Sequence, residues 1–169
     1  MDPAKNLRSL SVTWSDPQPL AAAGRAMAGI EFLRAMRDGR VPASPIAQLL
    51  GFRLAEVEPG QVVFECVPGE QHYNPIGVVH GGLAMTLLDS AMGCCVQSRM
   101  PAGGGYATLE AKTNLVRPIT LTTGKLRAIG KLVHLGNRVA TAEGRLEDAA
   151  GKLFAHASAT CIILAAEKS

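Results

Sequence analysis

Residues 80–97 read His-Gly-Gly-Leu-Ala-Met-Thr-Leu-Leu-Asp-Ser-Ala-Met-Gly-Cys-Cys-Val-Gln, and between His80 and Gln97 the only formally charged residue is Asp89. Such a run predicts a helix from about His80 to Arg99 that is apolar nearly all round, and such a helix has to be buried. The wider apolar stretch from Gly77 to Val96 approaches the length of a membrane span. Its His80, Asp89 and several glycines point instead to a core helix.

Downstream of this helix the pattern has period two. Ala107, Leu109, Ala111, Thr113 and Leu115 alternate with Thr108, Glu110, Lys112 and Asn114. Leu126, Ala128, Gly130 and Leu132 alternate with Lys125, Arg127 and Lys131. Further strands are expected over Val139–Glu147 and Leu153–Leu164, with a turn at Ala149-Ala150-Gly151-Lys152. Upstream, Arg53–Val57 and Val62–Val67 flank Pro59-Gly60 as a hairpin, and 68–79 reads as a loop. Short connections suggest an antiparallel meander. One long apolar helix with an antiparallel sheet gives an α+β fold in which the sheet wraps around a central helix.

The N-terminal part reads differently. Residues 1–19 look like a tail, and a single helix is expected over Leu20–Asp38, with Met27, Ile30, Phe32, Leu33 and Met36 on its apolar side and Gly39 as its stop. A short helix should follow Ser44-Pro45, from Ile46 to Leu50, ending at Gly51. The division is therefore 1–43 as tail and helical extension, and 44–169 as the main domain.

Composition narrows the function. The chain has 169 residues, 47% apolar and 18% charged, with a net charge of +3. That suits one domain with a sizeable core. It lacks the dense basic stripe of a nucleic-acid binder, so neither nucleic acid nor membrane is an expected partner. Residues 1–10, MDPAKNLRSL, hold no apolar h-region, so no secretion signal is expected. Cys66, Cys94, Cys95 and Cys161 lie in apolar runs without zinc-ligand spacing, so no metal is expected. Reduced thiols suit the cytoplasm. Gly103-Gly104-Gly105 precedes a strand, whereas a phosphate-cradling loop opens a helix.

The chemistry concentrates around the central helix. A lone carboxylate in an apolar helix is either neutralised by an Arg or Lys from the sheet or held for a task. Gly81 and Gly82 either permit tight packing or let a ligand approach the unpaired N–H groups of the first turn, which can hold an oxyanion. Asn74 could fix a substrate carbonyl or its own loop.

Together, Asn74, His80-Gly81-Gly82, Asp89 and the strand Thr108-Leu-Glu-Ala-Lys-Thr-Asn-Leu-Val-Arg-Pro118 resemble the PaaI-like branch of hotdog-fold acyl-CoA thioesterases, over about residues 45–165. The segment 33–52 is similar to N-terminal extensions of some members, without an assigned catalytic role. The resemblance implies that the Gly81 N–H polarises the thioester carbonyl and that Asp89 is general base or nucleophile. It implies that Thr108 holds the lytic water, that Asn74 helps fix loop or substrate, and that His80 and Gly82 border the substrate, His80 bracing the loop. The turn Gly136-Asn137-Arg138 matches a connection that touches coenzyme A, with Arg138 near a phosphate. No separate cofactor is implied, because coenzyme A is part of the substrate. The acyl group is left open between an aromatic one and a medium-chain aliphatic one.

Distance adds a constraint. Gly81 and Asp89 are eight residues apart, about 12 Å along one helix at ~1.5 Å per residue. A base and an oxyanion donor serving one carbonyl must both lie within about 3–4 Å of it or its attacking water. An antiparallel second copy of the helix would satisfy this, so a homodimer or homotetramer with shared sites is expected. Two rivals stand beside this reading. Tyr73-Asn74-Pro75 faintly resembles an element of hotdog hydratases, though no acidic residue directly precedes Asn74. A non-catalytic acyl-CoA-binding module is the other.

Overall fold

A computed structural model describes residues 6–164. Helix α4, Gly81–Gln97, buries Leu83, Ala84, Leu87, Leu88, Ala91, Met92, Cys95 and Val96. It packs against all six strands of one antiparallel sheet. These are β1 (Phe52–Glu58), β2 (Gln61–Cys66), β3 (Gly105–Leu115), β4 (Leu126–Leu135), β5 (Val139–Asp148) and β6 (Leu153–Leu164). The expected α+β architecture, a sheet wrapped around one central helix, is what forms.

The strand order is β1-β2-β4-β5-β6-β3. The β1–β2 hairpin turns at Pro59-Gly60, with Gly60 at φ +81°, and β4–β5–β6 are joined by short turns as anticipated. The simple meander is not found. Helix α4 carries the chain across the concave face, so β3 emerges at the far edge beside β6, and β2 pairs directly with β4.

The straight period-two reading of β3 also needs correction. Thr108 pairs with Cys161 and Glu110 with Thr160, leaving Leu109 as a bulge. A bulge shifts the alternation by one residue. Tyr106 and Thr108 therefore face α4 before the bulge, and Thr113 and Leu115 share the buried side of Ala157 and Ala155 after it. Leu109 is left 60% exposed.

The N-terminal extension is two long helices rather than one. Helix α1 covers Pro17–Ala26, capped by the Asp16 side chain on the Gln18 N–H, and α2 covers Gly29–Arg37. The chain is extended at Met27 and Ala28 because Gly29 docks on the end of α4. Its N–H donates to the Met100 carbonyl (3.0 Å), and a β-carbon there would overlap the Gln97 carbonyl. Gly39, at φ +73°, follows α2 as expected. The short helix α3, Pro45–Leu50, ends at Gly51 in the left-handed region, although the Ser44 side chain makes no capping bond. Among the described residues no helix is long and apolar enough to cross a membrane.

Gly130 marks a close approach of the sheet to the backbone of α4. A β-carbon on it would overlap the Ala91 carbonyl, which is backbone and cannot rotate away. Gly130→Ala should therefore cost about 1–3 kcal/mol through overpacking. Thermal unfolding should show a Tm lower by roughly 2–12 °C. An unchanged Tm would mean that α4 is free to shift off β4.

Candidate functional site

The first turn of α4 handles its N–H groups unequally. His80 is the N-cap, and its Nδ1 accepts from the Gly82 N–H at 2.8 Å, which leaves the ring proton on Nε2. The Leu83 N–H donates to the His80 carbonyl (3.0 Å). The Gly81 N–H has no partner among the described residues. One donor at the positive end of the helix thus stays available to an anionic oxygen.

The loop ahead of this turn is tightly held. Asn74 Oδ1 accepts from the N–H groups of Ile76 (3.0 Å) and Val78 (3.3 Å). The His80 N–H donates to the His72 carbonyl (2.7 Å), and the Gly69 N–H donates to His72 Nδ1 (2.9 Å). Burial pushes the His72 imidazole below its usual range, against a smaller opposing effect of the Leu50 carbonyl. Of the two roles open to Asn74, bracing its own loop is met by its oxygen, while its Nδ2 has no partner among the described residues. Asn74 and Gly81 together line a cavity of about 330 Å³, walled also by Leu115, Arg117 and Ile119.

Asp89 sits elsewhere. It lies on the exposed stripe of α4, in line with Met85, and no Lys, Arg or His among the described residues pairs with it. The sequence-based picture of a carboxylate enclosed in apolar surroundings is thus corrected. The stripe is open to solvent in the single chain, and neutralisation by a sheet cation is not found. Thr108 Oγ1 instead donates to Asp89 Oδ1 at 3.0 Å. The bulge at Leu109 follows directly and helps aim this hydroxyl at the helix.

Asp89 borders a second cavity, of about 290 Å³, lined by Ser90, Cys94, Tyr106, Phe52, Phe64 and, from the N-terminal extension, Met36 among others. No residue is common to this cavity and the one holding Gly81. Burial, and next the Asp89 charge, push the Cys94 thiol up to about 12, so it is not a thiolate at neutral pH. Desolvation raises the Tyr106 phenol well above its ordinary value. Among the described residues no cluster of three His, Cys, Asp or Glu stands close enough to hold a metal.

The structure thus brings Asp89 to Thr108, and Gly81 to Asn74, His80 and Gly82, but keeps the two groups apart. Gly136, Asn137 and Arg138 form an exposed turn outside both cavities. The Ile163 N–H donates to the Arg138 carbonyl (3.0 Å), and Ile163 pairs with Tyr106, so the turn lies at the Thr108 end of the sheet. Sequence reasoning missed Met36, Cys94 and Tyr106. Tyr106 stands two residues before Thr108 on the same strand face, so strand spacing held a signal for it; Cys94, five residues after Asp89, is turned about 140° from it around the helix, so helical spacing held none.

Comparison with known proteins places this geometry. A family model described as "Thioesterase superfamily" matches residues 76–155. A "Putative esterase" of Archaeoglobus fulgidus is 28% identical over 131 residues, covering 77% of this chain and 82% of the relative. The crystal structure of a "putative thioesterase, phenylacetic acid degradation-related protein" from Ralstonia eutropha JMP134 is 30% identical, with a TM-score of 0.70, over 77% of this chain and 98% of that one. The E. coli PaaI protein, at 18% identity and a TM-score of 0.71 over 84% of this chain and 97% of its own, shares the fold.

Proposed function

Because the chain belongs to the thioesterase superfamily, in its PaaI-like hotdog branch, we propose that it hydrolyses an acyl-CoA thioester to free acid and coenzyme A. The observation that carries this reading is the Thr108 hydroxyl on the Asp89 carboxylate beside an apolar cavity. With its proton committed to Asp89, Thr108 Oγ1 keeps lone pairs that can accept from a water. Asp89 acts as general base. It takes a proton from that water as the oxygen attacks the thioester carbon, and returns it to the departing sulfur as the C–S bond breaks.

The oxyanion formed in that step needs a donor, and the unpartnered Gly81 N–H with the α4 dipole suits it. In this proposal the donor comes from a second subunit. The separation of the Gly81 and Asp89 cavities within one chain favours this reading, as does the exposed stripe through Met85 and Asp89. Edge strand β3, with Leu109 and Leu115 exposed, offers unpaired backbone beside that stripe, where a second copy would pair. The Asn74 Nδ2 would then serve the thioester from the Gly81 side, and His80 would keep the turn rigid. Four free thiols suit a reducing compartment such as the cytoplasm.

Thiol release from a panel of acyl-CoA thioesters tests the reaction. Asp89→Asn should lower kcat by ~10²–10⁴-fold, the usual loss on removing a general base, with the fold kept. Thr108→Val should lower kcat more than it raises KM. A variant Asp89→Asn with most of the wild-type kcat would reject the assignment. Enoyl conversion without thiol release would indicate a hydratase, and binding without turnover a sensor module.

Arg138, in the exposed turn at the Thr108 end of the sheet, is assigned to a coenzyme A phosphate. Arg138→Ala should raise KM for an acyl-CoA and leave that for the matching pantetheine thioester unchanged. Equal effects on both substrates would place Arg138 away from the phosphates.

A further inference from the structure

The cavity beside Asp89 does not end at the walls of the main domain. It shares Met36, Cys94 and Tyr106 with a neighbouring cavity of about 450 Å³. That second cavity is lined by Leu20, Ala21 and Gly24 of α1, by Phe32 and Leu33 of α2, and by Gln97 near the end of α4, among others. Gln97 is eight residues beyond Asp89, about 12 Å further along the helix at ~1.5 Å per residue. The two spaces thus run in sequence along one side of α4, starting at the carboxylate.

Helix α1 is the unusual element. It buries no residue against the rest of the chain, yet its Leu20 and Ala21 face this space. Its apolar face borders an open groove that continues from the Asp89 cavity. The lining of that groove is mainly apolar, which suits the tail of a molecule whose reacting end lies at Asp89. One of the three residues between the two spaces is Met36, whose unbranched thioether side chain adapts to what passes it.

We propose that the two cavities are chambers of one acyl channel, that α1 and α2 build its distal chamber, and that this chamber takes the far end of an unbranched aliphatic acyl chain. This inference rests on the thioesterase reading and deepens it by naming the substrate class. Short acyl groups occupy only the chamber beside Asp89. Longer chains pass Met36 and bury their ends between Leu20, Phe32 and Leu33, where each buried methylene strengthens binding by about fourfold.

The test is kcat/KM from butanoyl-CoA to dodecanoyl-CoA for the wild type, for Ala21→Trp, which fills the distal chamber, and for Ala22→Trp, on the exposed neighbouring position. Both substitutions sit on the surface helix α1, away from the catalytic groups. The wild type should gain with chain length. Ala21→Trp should keep wild-type activity on butanoyl-CoA and lose roughly tenfold or more on dodecanoyl-CoA, the equivalent of two or three buried methylenes. Ala22→Trp should follow the wild type. Thiol release with the same chain-length profile in all three proteins would overturn the channel and leave the thioesterase reading standing. A shift in oligomeric state in Ala21→Trp without a change in profile would overturn it too, and assign this face to a second copy. Wild-type protein that releases no thiol from any of the substrates would remove the thioesterase reading, and the channel with it.

Discussion

Helix α4 has leucine, alanine, methionine, cysteine and valine on almost every side, so water has to be kept from nearly its whole circumference. One flat sheet can cover only one side of a helix, which is why all six strands curl around this one. The requirement fixes the positions of the small residues: Gly130 and Gly144 on the sheet lie where a side chain would strike α4. It also fixes the topology, because a chain that crosses the concave face as a helix must re-enter the sheet at the opposite edge. Strand β3 ends up at that edge, next to the one stripe of α4 that the sheet leaves uncovered.

That uncovered stripe gathers the chemistry. Met85 and Asp89 lie on it, and Gly81 begins the same helix two turns earlier. Thr108 reaches Asp89 only because it precedes the β3 bulge; in an unbroken alternation continued from Ala111, Thr113 and Leu115, it would point away from the helix. A local defect in strand pairing therefore positions the hydroxyl, as bulges beside functional sites commonly do. The helix start works by a similar economy of donors. His80 takes the Gly82 N–H, the His80 carbonyl takes that of Leu83, and a single free N–H is left at Gly81.

Much of this was legible in the sequence, for reasons that can be named. The α4 run and the Pro59-Gly60 hairpin are local signals, set by composition and turn chemistry, and both formed within a residue or two of their expected bounds. What was not legible depends on partners distant in sequence. The break between α1 and α2 comes from Gly29 meeting Gln97, a contact no periodicity reports. The β3 bulge is a mismatch in length against β6, invisible in β3 alone. The exposure of Asp89 follows from how far the sheet wraps, which the apolarity of α4 overstates. The role of α2 as a wall of the Asp89 cavity could not be read from its stripe, since Met36 looks like any core methionine.

The central claim is that one working site needs Gly81 from one subunit and Asp89 from another, and subunit mixing tests it directly. Asp89→Asn and Gly81→Pro are each expected to be inactive. Proline is tolerated at Gly81, the first residue of α4, where it removes only the N–H donor; the nearest atom to a β-carbon there is the movable end of the Leu115 side chain. After verified subunit exchange in equal amounts, each mixed dimer carries one site with both defects and one with neither. Thiol release should then return to about a quarter of the wild-type level. No recovery despite exchange, or a stable and fully active monomer, would contradict the account.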